Sequence, residues 1–168
     1  MTNQKNIRTK RILLIDDDKD FRETFHKRLT EEGYYVVAQA GAASAMDWAI
    51  HRDVGNFDMI ISDQRMPGEL GAPFLRFLAL LEKTDVQTLD PRSELYQELR
   101  KRFPDLGESE FRSQLKDLKS HPAIRVILSG YSEDGSIQKG LEEGTIGKFL
   151  TKKTPIPEIL ASLHDLLS

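Results

Sequence analysis

Cysteine is absent from the 168 residues, which excludes disulfides, thiol nucleophiles and thiolate metal sites together. Long apolar runs are also missing. The run Ile12 to Ile15 is stopped by three aspartates, so the basic start (Lys5, Arg8, Lys10, Arg11) lacks the apolar stretch of an export signal. No segment approaches the roughly 20 apolar residues of a membrane helix. Excess positive charge is lacking too. Against 24 Lys and Arg stand 27 Asp and Glu, a formal net charge of -3. Non-specific nucleic-acid binding wants a basic face, so no direct nucleic-acid partner is expected. The four histidines (His26, His51, His121, His164) are dispersed without ligand spacing, which argues against a zinc site. What remains is 39% hydrophobic and 30% charged residues, the composition of a folded domain. The length suits one domain over 1–168, and the expected setting is cytoplasmic with no membrane contact.

Five short apolar runs lack alternation and read as buried parallel strands: Arg11–Ile15, Tyr35–Ala38, Phe57–Ser62, Ile124–Leu128 and Gly147–Leu150. Helical stripes lie between them. Phe21, Phe25 and Leu29 recur every four residues, and Gly33 ends that helix. Ala42, Ala45, Met46, Ala49 and Ile50 form a second stripe, and Phe74, Leu75, Leu78 and Leu81 a third. Ser132–Glu143 reads as a short polar helix, and Ile156, Ile159, Leu160, Leu163 and Leu167 mark the last. Strands alternating with helices predict right-handed βαβ units and a doubly wound, flavodoxin-like α/β fold. Such sheets bind ligands at the carboxyl ends of their strands.

Residues 82–120 break this rhythm. Asp90-Pro91 looks like an N-cap with Pro at the first helical position. Leu95, Leu99 and Phe103 follow at helical spacing. Pro104 and Gly107 interrupt them, and Phe111, Leu115 and Leu118 start another stripe. The segment reads as a helical hairpin inserted between the third helix and the fourth strand, with stripes better suited to local packing than to a partner groove.

Chemistry concentrates at the strand ends. Asp16, Asp17 and Asp18 follow the first strand, and Asp63 follows the third. In a parallel sheet these positions share one edge. Clustered carboxylates raise one another's pKa, and a hard divalent cation such as Mg2+ relieves the repulsion. Ser129 ends the fourth strand and Lys152 the fifth, adding a hydroxyl and a cation to the same rim. Together these groups suit the handling of a phosphoryl group, with an aspartate able to act as nucleophile. Each has a plainer reading on its own. The aspartate triplet could cap a helix, Asp63 and Ser129 could be turn residues, Lys152 could be a solvated lysine, and Phe149 could be core.

Four segments carry a resemblance. Ile12-Leu-Leu-Ile-Asp-Asp-Asp18, Ile61-Ser-Asp-Gln-Arg-Met-Pro-Gly68, Val126-Ile-Leu-Ser-Gly-Tyr131 and Gly147-Lys-Phe-Leu-Thr-Lys152 resemble the motifs of chemotaxis-regulator-like receiver domains of two-component response regulators. They occur in the family's order and cover nearly the whole chain outside the insertion. The resemblance implies a sheet of order 2-1-3-4-5 and a signalling switch rather than an enzyme. It implies Asp63 as phospho-acceptor and Mg2+ held by Asp16, Asp17, Asp63 and the backbone carbonyl of Arg65. Ser129 and Lys152 would bond the phosphoryl oxygens, and Ser129 and Phe149 would move on activation. Arg65 and Tyr131 match positions that tune phosphate lifetime. The implied partners are a histidine kinase or phosphotransfer protein and a downstream protein; a homodimer stays open.

Three departures stand out. Leu70 replaces the family's usual acidic residue before Gly71, with little effect expected. Lys153 replaces the usual proline after the lysine, so the bond before it is either trans or strained. The insertion lies near the face such domains use for signalling. No output domain follows the last helix, so output by protein contact is expected unless the chain is part of a longer protein, as the segment Ser62–Gly68 and the strand-five stretch suggest. Two other readings remain. One is a pseudo-receiver acting as a constitutive binding module. The other is a haloacid-dehalogenase-type phosphatase built on Asp16-x-Asp18, which leaves Asp63 unexplained.

Overall fold

A computed structural model describes residues 8–50 and 56–168. Lys5 and His51 lie outside the described residues. The strands are β1 (Arg11–Ile15), β2 (Tyr35–Gln39), β3 (Met59–Ser62), β4 (Ile124–Ser129) and β5 (Lys148–Thr151). They pair in parallel in the order β2-β1-β3-β4-β5, as expected for the flavodoxin-like fold. The helices are α1 (Lys19–Glu31), α2 (Ala42–Ile50), α3 (Gly71–Glu82), α4 (Glu94–Arg102), α5 (Glu108–Leu115), α6 (Gly135–Glu143) and α7 (Ile156–Leu167). None of the described helices is long and apolar enough to cross a membrane.

Strand residues alternate between two apolar layers, because successive side chains point to opposite faces. Leu13, Ile15, Ile60 and Ile127 face one layer, with α2, α3 and α6. Ile12, Leu14, Met59, Ile61, Val126 and Leu128 face the other, where Phe25 and Leu29 of α1 meet Ile159, Leu160 and Leu163 of α7. Both faces are thus covered, which is why these strands read as continuous apolar runs.

Several boundaries differ from expectation, each for a local reason. The strand β3 begins at Met59 rather than Phe57, because the Asp58 side chain accepts from Arg11 N at 2.8 Å and from Arg8 Nη2 at 2.7 Å. The helix α6 begins at Gly135, not Ser132, because Asp134 is its N-cap, with Oδ1 accepting from Ser136 N and Ile137 N at 3.0 Å each. Asp90 caps no helix. Its Oδ1 accepts from Arg92 N at 2.8 Å in a turn, and Ser93 caps α4 through Tyr96 N at 3.2 Å. Phe103 ends α4 as its C-cap. The strand β5 runs through Thr151 rather than stopping at Leu150.

The segment between α3 and β4 packs on α3. A short 3-10 turn (Val86–Thr88) leads into α4 and α5. In α3 only Pro73 is exposed, and Phe74, Leu75, Phe77, Leu78 and Leu81 are all buried. A helix apolar on nearly every side needs cover beyond a single sheet. Leu95, Tyr96 and Leu99 of α4 and Phe111 and Leu115 of α5 join the same apolar layer as α3. Tyr96 and Phe111 meet edge to face at 5.3 Å. Arg102 pairs with Glu69 while its guanidinium lies 4.1 Å over the Phe77 ring. Arg76 of α3 reaches Glu94 of α4 at 2.5 Å and Glu143 of α6 at 3.3 Å, tying three helices together. The exit of the segment is anchored by Lys119 N, which donates to Ile50 O at 2.6 Å.

Leu99 is fully buried in this layer. Leu99→Ala is expected to cost about 2–5 kcal/mol in urea unfolding. The exposed Lys101→Ala should cost less than about 0.5 kcal/mol.

Candidate functional site

The register aligns the carboxyl ends of the central strands. Ile15 lies beside Ser62, and Asp63 N donates to Ile15 O at 2.8 Å, so Asp16 and Asp63 emerge side by side. Ser129 lies beside Thr151, and Lys152 N donates to Ser129 O at 2.8 Å. The sheet therefore delivers two acids, a hydroxyl and a lysine to one edge.

Asp16, Asp17 and Asp63 each offer a carboxylate oxygen, and the three oxygens lie within 4.8 Å of one another. Asp16 and Asp63 are buried, whereas Asp17 is exposed at the mouth. Lys152 Nζ lies 2.7 Å from Asp16 Oδ2 and 3.2 Å from Asp63 Oδ2, and 4.4 Å above the Phe21 ring. Three carboxylates against one ammonium leave two negative charges uncompensated within this group. Burial pushes the Asp16 carboxyl above the usual aspartate range, against the pull of Lys152 and with a further push from Asp63. Burial alone would lower Lys152, but its hydrogen bond to Asp16 and the charges of Asp16 and Asp63 hold it above an ordinary lysine. An all-oxygen, partly open and over-negative donor set fits a hard divalent cation such as Mg2+.

Asp18 does not join the cluster. Its Oδ1 accepts from Phe21 N at 3.1 Å as the N-cap of α1, and its own N–H donates to Asp16 Oδ1 at 2.9 Å. Ser129 is fully buried, and its hydroxyl accepts from Tyr131 N at 3.2 Å. Arg65 is exposed on the loop after β3, with its guanidinium 4.1 Å over the Tyr131 ring, so both rim residues lean on each other. Phe149 is half-buried on β5, opposite Ile127 and against the core. The peptide bond before Lys153 is trans, there being no cis bond among the described residues. Lys153 N donates to Thr151 Oγ1 at 3.2 Å, and Lys152 reaches both acids from this turn without a proline. Leu70 caps α3 without a side-chain bond. Gly71 is needed for close approach, since a Cβ there would lie 2.1 Å from the Asp63 carbonyl oxygen.

One residue of this site carries no assignment from sequence. Gln64 is buried beside Asp63. Its backbone N–H donates to Asp63 Oδ1 at 2.7 Å, and its Oε1 accepts from Ala72 N at 2.8 Å, replacing the cap that Leu70 cannot supply. An amide two residues past the end of β3, directly after Asp63, is the available signal.

A doubly wound sheet with an acidic, lysine-closed pocket at its carboxyl edge is the class that fold and site define. The family model of the response regulator receiver domain matches residues 12–90. That match covers a little under half of the chain, and the fold is that of the similar solved structures. Curated relatives include the hydrogenase transcriptional regulatory protein HoxA of Cupriavidus necator, 23% identical over 84% of this chain and 20% of the relative. HoxA of Bradyrhizobium diazoefficiens is 24% identical over 92% of this chain and 23% of the relative. The chain thus spans about a fifth of the length of these relatives. Similar solved structures include the non-phosphorylated HemR receiver domain of Leptospira biflexa (TM-score 0.60, 21% identity, 95% of each chain). Another is the response regulator TrrA of Thermotoga maritima in complex with Mg2+-BeF (TM-score 0.55, 22% identity, 94% of this chain and 99% of that one). These structural likenesses concern the fold.

Two outcomes follow from the charge balance. Lys152→Met removes the ammonium in contact with Asp16 and Asp63, so Mg2+ affinity by isothermal calorimetry should rise roughly tenfold. In the wild type a proton on Asp16 competes with the cation. Because that carboxyl sits above the usual range, Mg2+ affinity should fall as pH is lowered, beginning at a higher pH than an ordinary aspartate would give.

Proposed function

We propose that the chain is a response regulator receiver domain, a Mg2+-dependent phosphorylation switch with Asp63 as the acceptor. The observation that carries the reading is one distance set: three acidic oxygens within 4.8 Å of one another, with Lys152 Nζ 3.2 Å from Asp63. A carboxylate oxygen of Asp63 attacks the phosphorus of a phosphohistidine on a histidine kinase or phosphotransfer protein. An O–P bond forms, the P–N bond breaks, and the imidazole takes the electron pair. Asp16, Asp17, Asp63 and the Arg65 carbonyl would hold Mg2+, which when bound supplies neutralisation of carboxylate and phosphoryl charge. That TrrA was captured with Mg2+-BeF supports this assignment.

Lys152 pairs with a phosphoryl oxygen from its place beside Asp63, and Ser129 turns its hydroxyl to another. Phe149 follows inward, and the surface around β5, α6 and α7 changes. Output is then protein contact in a cytoplasmic setting, not turnover of a substrate. Asp18 spends its carboxylate on the α1 cap, which takes the second acid from an Asp16-x-Asp18 phosphatase reading.

Incubation with acetyl phosphate and Mg2+ should add one phosphoryl group by intact mass. The gain should vanish in Asp63→Ala and in chelator. No gain, together with no beryllofluoride complex, would reject the acceptor and favour a constitutive binding module.

A further inference from the structure

Gln64 ties three elements together. The residue is 1% exposed, so each polar atom of its side chain must find a protein partner. Oε1 holds the start of α3 through Ala72 N. Nε2 donates to Asp134 Oδ2 and to Ser136 Oγ, both at 2.8 Å. Asp134 is the N-cap of α6, and Ser136 Oγ also donates to Asp134 Oδ1 at 2.6 Å. The loop 130–133, which joins Ser129 to α6, is therefore fixed at both ends. At one end Tyr131 N holds the Ser129 hydroxyl, and at the other Gln64 holds Asp134.

We propose that Gln64 is a positioning residue that sets the cost of moving the loop 130–133, and so the ease with which Ser129 turns toward a group on Asp63. The inference rests on the acceptor reading of Asp63. The Ser129 hydroxyl is engaged within its own loop, so reaching a phosphoryl oxygen requires the loop to rearrange. Its far end cannot follow while Asp134 stays bonded to Gln64. Releasing that bond lowers the cost, and the ligand-bound state gains by the same factor. The Gln64 backbone bond to Asp63 Oδ1 does not depend on the side chain, so the acceptor keeps its orientation in every side-chain variant.

A donor-acceptor swap tests this. Gln64→Glu places a carboxylate against Asp134, and Asp134→Asn places an amide NH2 against the Gln64 NH2. Either change alone breaks the contact. Together they restore it in reverse, with the amide introduced at position 134 donating to the carboxylate introduced at position 64, and keep the wild-type charge. Asn also remains a good N-cap. Two readouts are taken, hydrogen exchange of the Ser136 and Ile137 amides without ligand, and the beryllofluoride dissociation constant at saturating Mg2+. The neutral Gln64→Leu is measured alongside. Each single variant should speed exchange and tighten beryllofluoride binding roughly threefold to tenfold, the range of one or two hydrogen bonds. The double variant should return both values to wild type. Single variants without effect on exchange, faster exchange with unchanged beryllofluoride affinity, or a double variant that fails to rescue would each overturn the proposal. Failure of the acceptor reading is distinguishable, because the wild type itself would then bind no beryllofluoride.

Discussion

Like charges at one edge of the sheet set the terms for this molecule. Parallel pairing brings Asp16 and Asp63 out side by side, with Asp17 at the mouth. Burying acids together is costly unless a cation answers them. Lys152 answers part of that charge from the next edge of the same sheet. The rest leaves the pocket over-negative, the feature on which the proposed cation and phosphoryl chemistry rests. Burial lifts the Asp16 carboxyl in spite of Lys152, while the two acids hold the Lys152 ammonium up in spite of burial.

The fold keeps that edge rigid by covering both faces of the sheet. Cover is uneven, however. One face meets α1 and α7, while the other carries a helix, α3, with almost no polar side. The α4–α5 segment supplies what α3 lacks, through Leu95, Leu99 and Phe111 and through the Arg76 and Arg102 ion pairs. Arg76 also reaches α6, so the segment and the helix after β4 share a partner.

Much of this was legible in the sequence, for identifiable reasons. Buried parallel strands show as unbroken apolar runs, and the acids that end β1 and β3 stand directly after them. The sheet order was implied by the resemblance of the four segments, and the closeness of Asp16, Asp17, Asp63 and Lys152 follows from strand ends sharing one edge. What stayed hidden depends on competing local bonds. Asp90-Pro91 has the form of a helix start, yet Asp90 closes a turn and Ser93 caps α4. Ser132 looks like the start of α6, but Asp134 takes that place because its carboxylate satisfies two backbone donors. Gln64 was hidden because two of its partners, Asp134 and Ser136, lie far along the chain and come near only once β3 and β4 are paired.

The central claim is that Asp63, among three neighbouring acids, is the one that takes the phosphoryl group. Borohydride reduces an acyl phosphate to an alcohol and so converts the modified aspartate to homoserine, which peptide sequencing locates. Homoserine is expected at position 63 alone, formed only after treatment with a phosphodonor and Mg2+. Homoserine at position 16 or 17 instead would contradict it.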